Sequence, residues 1–195
     1  MAERPLRADA RRNRDKVLRA AREAFAASGY GVPLDEIAAR AGVGPGTVYR
    51  HFPAKEVLFQ EVITARVEDL IDDARARAGA ADPGGAFFGF LSRVGQEAAA
   101  KRDLPDAIAI AGSLQDRLQA AVDVLLRRAQ EVGAVRGDIR TPDLIVLLKG
   151  LLASIQDAQE GAADPARRDR LLAVLSDGLR GPPERAAGTG TPQAR

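Results

Sequence analysis

Apolar residues in this chain recur at intervals of three and four, and each such run is cut short by glycine or proline. That spacing gathers side chains on one face of a helix, whereas a strand needs strict alternation. Val17, Leu18, Ala21, Ala24 and Phe25 form one such face, ended by Gly29. A short helix is expected over Leu34–Ala41, entered at Pro33 and closed by Gly42. A third begins near Pro45 and must end by Phe52, because Pro53 follows. Lys55 to about Ala78 reads as one long helix, with Leu58, Val62, Ala65, Val67, Leu70 and Ile71 as its apolar set. Further helices are expected over 82–103, 104–113 and 113–133, from Thr141, and from Pro165 to Leu179, about nine in all. Asp82-Pro83, Thr141-Pro142 and Asp164-Pro165 are cap-then-proline entries, and Ser113 is placed to cap another helix. No internal repeat is present, and the fold class is all-α.

Composition narrows the chemistry. There is no cysteine, which removes disulfides, thiol catalysis and cysteine-ligated metals. His51 is the only histidine, so multi-histidine metal sites are excluded and a single imidazole base is left. No metal site, cofactor or catalytic set is expected. The Arg-rich N-terminus lacks the apolar stretch of a signal peptide, and Glu3, Asp9 and Asp15 speak against a transit peptide. The most apolar run, 143–157, is too short for a bilayer and carries Lys149. A cytoplasmic protein with no membrane partner is expected. Charge is unevenly spread: residues 1–55 hold 11 Lys+Arg against 6 Asp+Glu, net +5, and the remainder holds 18 against 21, net −3. A basic module joined to a mildly acidic one points to an anionic partner, nucleic acid or lipid. A solvated arginine face is the plainer alternative.

The stretch AGVGPGTVYRHFPAKEVLF, residues 41–59, decides between partners. Gly42, Gly44 and Gly46 suggest a phosphate cradle, but a dinucleotide or Walker loop is fed by a strand. Here Leu34, Ile37, Ala38 and Ala41 share a helical face, and no Gly-Lys-Ser/Thr occurs. Helix, three-residue turn and short second helix over 34–41, 42–44 and 45–51 instead satisfy a helix-turn-helix. Gly42 supplies a left-handed turn, and Val43 plugs the angle between the helices. Small Gly46 and Thr47 permit close approach to DNA, and Tyr49, Arg50 and His51 reach phosphates or base edges.

Residues 12–60 resemble the DNA-binding segment of the TetR family of bacterial transcriptional regulators. The resemblance rests on Ile37, Ala38, Ala41, Gly42, Val43, Gly46, Thr47, Val48, Tyr49, His51, Phe52, Lys55 and Leu58, each at the family's spacing. Residues 133–152 also look like the start of the penultimate helix in one actinobacterial-type subgroup. The resemblance implies that Thr47, Tyr49 and His51 meet phosphates or thymine methyls and that Lys55 meets a phosphate. Pro45, Gly46 and Arg50 would occupy the base-facing part of the recognition helix. Two departures stand out: Val32-Pro33 replaces the usual hydroxyl before the second helix, and Gly44 stands where serine is common. Affinity would then lean on arginines of the arm and first helix, such as Arg7, Arg11 and Arg12.

The expected organisation is a flexible basic arm (1–8), a helix-turn-helix domain (9–54), a ligand-binding and dimerisation domain (55–181) and a flexible tail (182–195). Phe87, Phe88 and Phe90, with Gln96, Gln115 and Gln156, are the candidates for lining an effector pocket. Plain core and plain surface are the alternative readings for them. Broad apolar stripes on the last two helices, about 141–180, suit a homodimer. The overall expectation is a ligand-responsive regulator, not an enzyme. It would be a repressor released from a palindromic DNA operator by a small molecule. Two alternatives stay open: a nucleotide-binding protein or enzyme using loop 42–47, or a DNA-binding regulator whose C-terminal half only dimerises.

Overall fold

The computed structural model describes residues 3–100, 112–160 and 165–181. Within them the chain forms eight α-helices. These are α1 (Glu3–Ser28), α2 (Leu34–Ala41), α3 (Pro45–His51), α4 (Lys55–Ala78), α5 (Pro83–Ala100), α6 (Ser113–Glu131), α7 (Thr141–Glu160) and α8 (Pro165–Leu179). A single 3-10 turn, Gly29–Gly31, joins α1 to α2. The helix expected over 104–113 lies outside the described residues except at its last two positions, and so does the tail over 182–195.

Several boundaries differ from expectation for local reasons. Helix α1 begins at Glu3, so residues 3–8 form its first turns. Pro5 is tolerated there because the N–H it lacks would have no partner in a first turn. Ser113 does not cap α6; Gly112 takes the cap position at φ 85°, a conformation only glycine adopts cheaply, and Ser113 becomes the first helical residue. Thr141 likewise spends its hydroxyl elsewhere, donating to Asp123 of α6 at 2.7 Å from a buried position. The entry to α7 is closed instead by Asp143, whose carboxylate accepts the Arg140 backbone N–H at 3.0 Å. Asp82 does cap α5, accepting the Gly85 N–H at 2.9 Å.

Burial divides the helices into two cores. In the first, Val17, Ala21, Ala24 and Phe25 of α1 close on Ile37 and Ala38 of α2, Val48 of α3, Phe52, and Leu58 and Val62 of α4. The second gathers Ile63, Val67, Leu70 and Ile71 of α4 with Phe87, Phe90 and Leu91 of α5. Leu118, Val122, Leu125 and Leu126 of α6 and Leu144, Leu148 and Leu152 of α7 complete it. Helix α4 belongs to both, and Phe59 packs against both. An ion-pair network ties α4 to α5: Asp73 accepts from Arg77 at 2.8 Å and from Arg93 at 2.5 Å. Arg117 of α6 forks onto Glu68 of α4 at 2.6 and 2.8 Å. Helix α8 comes so near α5 that a Cβ on Gly95 would collide with the Leu172 side chain. The C-terminal end of α8 is fastened by a short antiparallel bridge, with Arg136 N–H donating to Leu179 C=O at 3.0 Å and Gly181 N–H to Ala134 C=O at 3.1 Å.

Candidate nucleic-acid interface

The turn between α2 and α3 is built on Gly42. It sits at φ 66°, ψ 36°, the left-handed conformation that ends many helices. Its N–H donates to Ala39 C=O and the Val43 N–H to Ala38 C=O, both at 3.1 Å, so two of the terminal carbonyls of α2 are satisfied. A Cβ at Gly42 would meet nothing within 4 Å, so the requirement is conformational rather than steric. Val43 packs half-buried against the first core, as its plug role demands. Gly44 is extended and precedes Pro45, the first residue of α3. The residues before loop 42–47 are helical, so no strand feeds it and the arrangement is a helix-turn-helix.

Helix α3 fully buries one residue, Val48. Pro45, Gly46, Tyr49 and Arg50 are exposed, Tyr49 by 50%, while Thr47 and His51 are half-buried. A Cβ on Gly46 would meet open space, which leaves room for another molecule against the backbone. Phe52, fully buried, supports α3 from beneath. The Arg14 guanidinium lies 5.3 Å from the Phe52 ring centroid and also pairs with Glu61, tying α1 to α4 at the foot of α3. Arg12 is exposed but pairs with Asp9, one turn earlier on its own helix.

Lys55 opens α4 beside this surface. Its ammonium stands 4.4 Å from the ring centroid of Tyr30, in the 3-10 turn. The Tyr30 hydroxyl donates to Glu56 at 2.5 Å. That bond raises the phenol above its ordinary value and lowers the Glu56 carboxyl, so the pair is a neutral donor on a carboxylate. Sequence reasoning assigns nothing to Tyr30 or Arg14. The partners of each lie 26 and 47 positions away, and only the fold unites them.

The effector candidates separate. Phe87 and Phe90 are closed into the second core, and Phe88, edge-on to Phe87 at 5.3 Å, is covered by the Arg180 guanidinium at 4.7 Å. Gln96 is exposed, Gln115 is half-buried at the start of α6, and the Gln156 side chain lies outside the described ones. A cleft of about 1030 Å³ opens elsewhere, between α1 and α4, along Leu18, Arg22, Val57, Gln60 and Thr64. Among the described residues no cluster of His, Asp or Glu is placed to hold a metal ion. None of their helices is long and apolar enough to cross a membrane.

Comparison with known proteins agrees with this geometry. Residues 17–62 match the family described as "Bacterial regulatory proteins, tetR family", and residues 82–181 match "Transcriptional regulator SbtR-like, C-terminal domain". The chain is 28% identical over 197 residues to the HTH-type transcriptional regulator UidR of Escherichia coli (strain K12), spanning 90% of this chain and 93% of that protein. Among solved structures it is similar to a TetR transcription regulatory protein from Mycobacterium vanbaalenii. The two are 41% identical, with a TM-score of 0.62, over 90% of this chain and 99% of the other. The TetR transcriptional regulator SCO0520 from Streptomyces coelicolor is 31% identical, with a TM-score of 0.64, over 86% and 98% of the two chains. An outward-facing helix-turn-helix on an all-α body, matched along both halves, places this chain in the TetR family of DNA-binding transcriptional regulators.

Proposed function

We propose that the protein is a homodimeric repressor that binds a palindromic operator through α3 and releases it when a small molecule binds the C-terminal half. The observation that carries the DNA reading is that α3 buries only Val48 and turns Tyr49 and Arg50 to solvent beside Lys55. Thr47, Tyr49, His51 and Lys55 act on phosphates or thymine methyls in this reading, and Pro45, Gly46 and Arg50 face the bases. Residues 9–54 serve as the DNA-binding domain and 55–181 as the regulatory and dimerising one, with the protein working in the cytoplasm. Two exposed apolar positions on α7, Val146 and Leu147, and one on α8, Val174, support a twofold interface through these helices.

A small molecule would lodge between α4, α5, α6 and α7, where movement of α4 reaches Lys55. A second reading keeps the DNA module and gives the C-terminal half no ligand. It is favoured by the complete burial of Phe87 and near-complete burial of Phe90, which leaves those aromatics as core. The experiment is selection of duplexes from a random pool by the full chain, followed by gel-shift titration against salt and a metabolite library. The repressor reading expects a palindromic consensus, steep salt dependence and at least one compound that weakens binding. DNA binding unmoved by every compound favours the second reading, and no selected duplex overturns both.

A further inference from the structure

Tyr30 has no assigned role, yet three contacts converge on it. It stands 41% exposed between two glycines in the turn that joins α1 to α2. Its ring meets Phe59 edge-on at 5.0 Å, and Phe59 in turn meets the buried Phe25 edge-on at 5.0 Å. The ring is thereby fixed from the protein side. Lys55 lies over it with the ammonium 4.4 Å from the centroid, and its hydroxyl holds Glu56 at 2.5 Å.

We propose that Tyr30 is a positioning residue for DNA: its ring holds the Lys55 ammonium in place for a backbone phosphate. The inference rests on the reading of α3 and Lys55 as the DNA face. A lysine on a four-carbon stem loses much rotamer freedom when a phosphate fixes it, and a ring that already confines it reduces that loss. An ammonium resting on a π-face keeps N–H groups free to donate to phosphate oxygens. The hydroxyl's bond to Glu56 at 2.5 Å fixes the free end of the ring, so the face under Lys55 is held by Phe59 on one side and Glu56 at the tip.

The test uses the full chain and a duplex that it selects from a random pool, titrated over a range of salt concentrations. Tyr30→Leu, Tyr30→Phe, Lys55→Ala and the Tyr30→Leu/Lys55→Ala double variant are compared, each with its melting temperature. Tyr30→Leu is expected to weaken binding about two- to five-fold per half-site. It should also flatten the log–log salt slope, by up to about 0.9 for each phosphate no longer neutralised. Tyr30→Phe keeps the π-face and should retain most of the slope. In the Lys55→Ala background, Tyr30→Leu should add nothing. If Tyr30→Leu melts early, Tyr30→Met fills similar space without a π-face and must give the same slope. A Tyr30→Leu protein with the parental slope, or with an equal loss in both backgrounds, overturns the role of Tyr30 while the DNA face stands. Lys55→Ala with an unchanged slope removes Lys55 from the phosphate and Tyr30's role with it. Failure to select any duplex overturns the DNA face itself.

Discussion

At the residue scale, Arg50 and Lys55 occupy the same basic surface but are expected to act differently. Lys55 is a point charge at the start of α4, suited to a phosphate, whereas Arg50 is exposed on α3 with a planar fork suited to a guanine edge. Lys55→Ala should therefore weaken binding to all sequences by a similar factor and lower the salt slope. Arg50→Ala should relax base preference at one position and cost about 1–3 kcal/mol there. Competition gel shifts with single-base variants of the selected duplex separate the two. If both variants bind like the parent, α3 is not the reading element. The exposure of Tyr49 and Arg50 is legible in the sequence, because it follows from a short helix whose one buried position is Val48. The sequence carries nothing about Tyr30 or Arg14. Cation–π and ion-pair contacts join residues far apart in the chain, and neither periodicity nor local spacing encodes such pairs.

At the element scale, the start and stop of α2 and α4 are readable from sequence, since Gly42, Pro53 and Gly79 act locally and leave few alternatives. The caps of α6 and α7 depart from expectation for different reasons: Gly112 takes the cap position ahead of Ser113, and the Thr141 hydroxyl serves another helix. Thr141 reaches Asp123 on α6, a choice set by packing. Two substitutions probe the elements. Gly42→Ala places a Cβ in left-handed backbone with free space around it, so the cost is conformational strain of about 1–2 kcal/mol. Thermal denaturation should register it as a lower melting temperature, and a neutral outcome would mean that the turn relaxes out of its left-handed form. Asp73→Ala leaves Arg77 and Arg93 without their shared acceptor at a site where Asp73 is 13% exposed. A loss of about 1–3 kcal/mol is expected, read by urea unfolding, with α5 loosening from α4 in hydrogen exchange.

At the scale of the whole molecule, the proposed dimer is the point to test. Val146 and Val174 are 69% and 70% exposed, a poor use of large apolar side chains in a lone chain and a natural one in a twofold interface. Val174→Glu should give a species that sediments as a monomer. Its affinity for a two-half-site duplex should fall about 100-fold or more, since each half-site is then held alone. A Val174→Glu protein that remains dimeric would move the interface off α8. The sequence shows the stripes on these helices but not which positions face inward, because Leu144, Ile145, Leu148 and Leu152 are claimed by the chain's own core. One feature of the body governs how far any event within it travels. Helix α4 runs unbroken through both cores for 24 residues, so it is a rigid lever about 36 Å long. A tilt of about 5° at its Ala78 end swings Lys55 by about 3 Å, enough to break a hydrogen bond to phosphate. The proposed release of DNA would then need no unfolding, only a small angular change magnified by length.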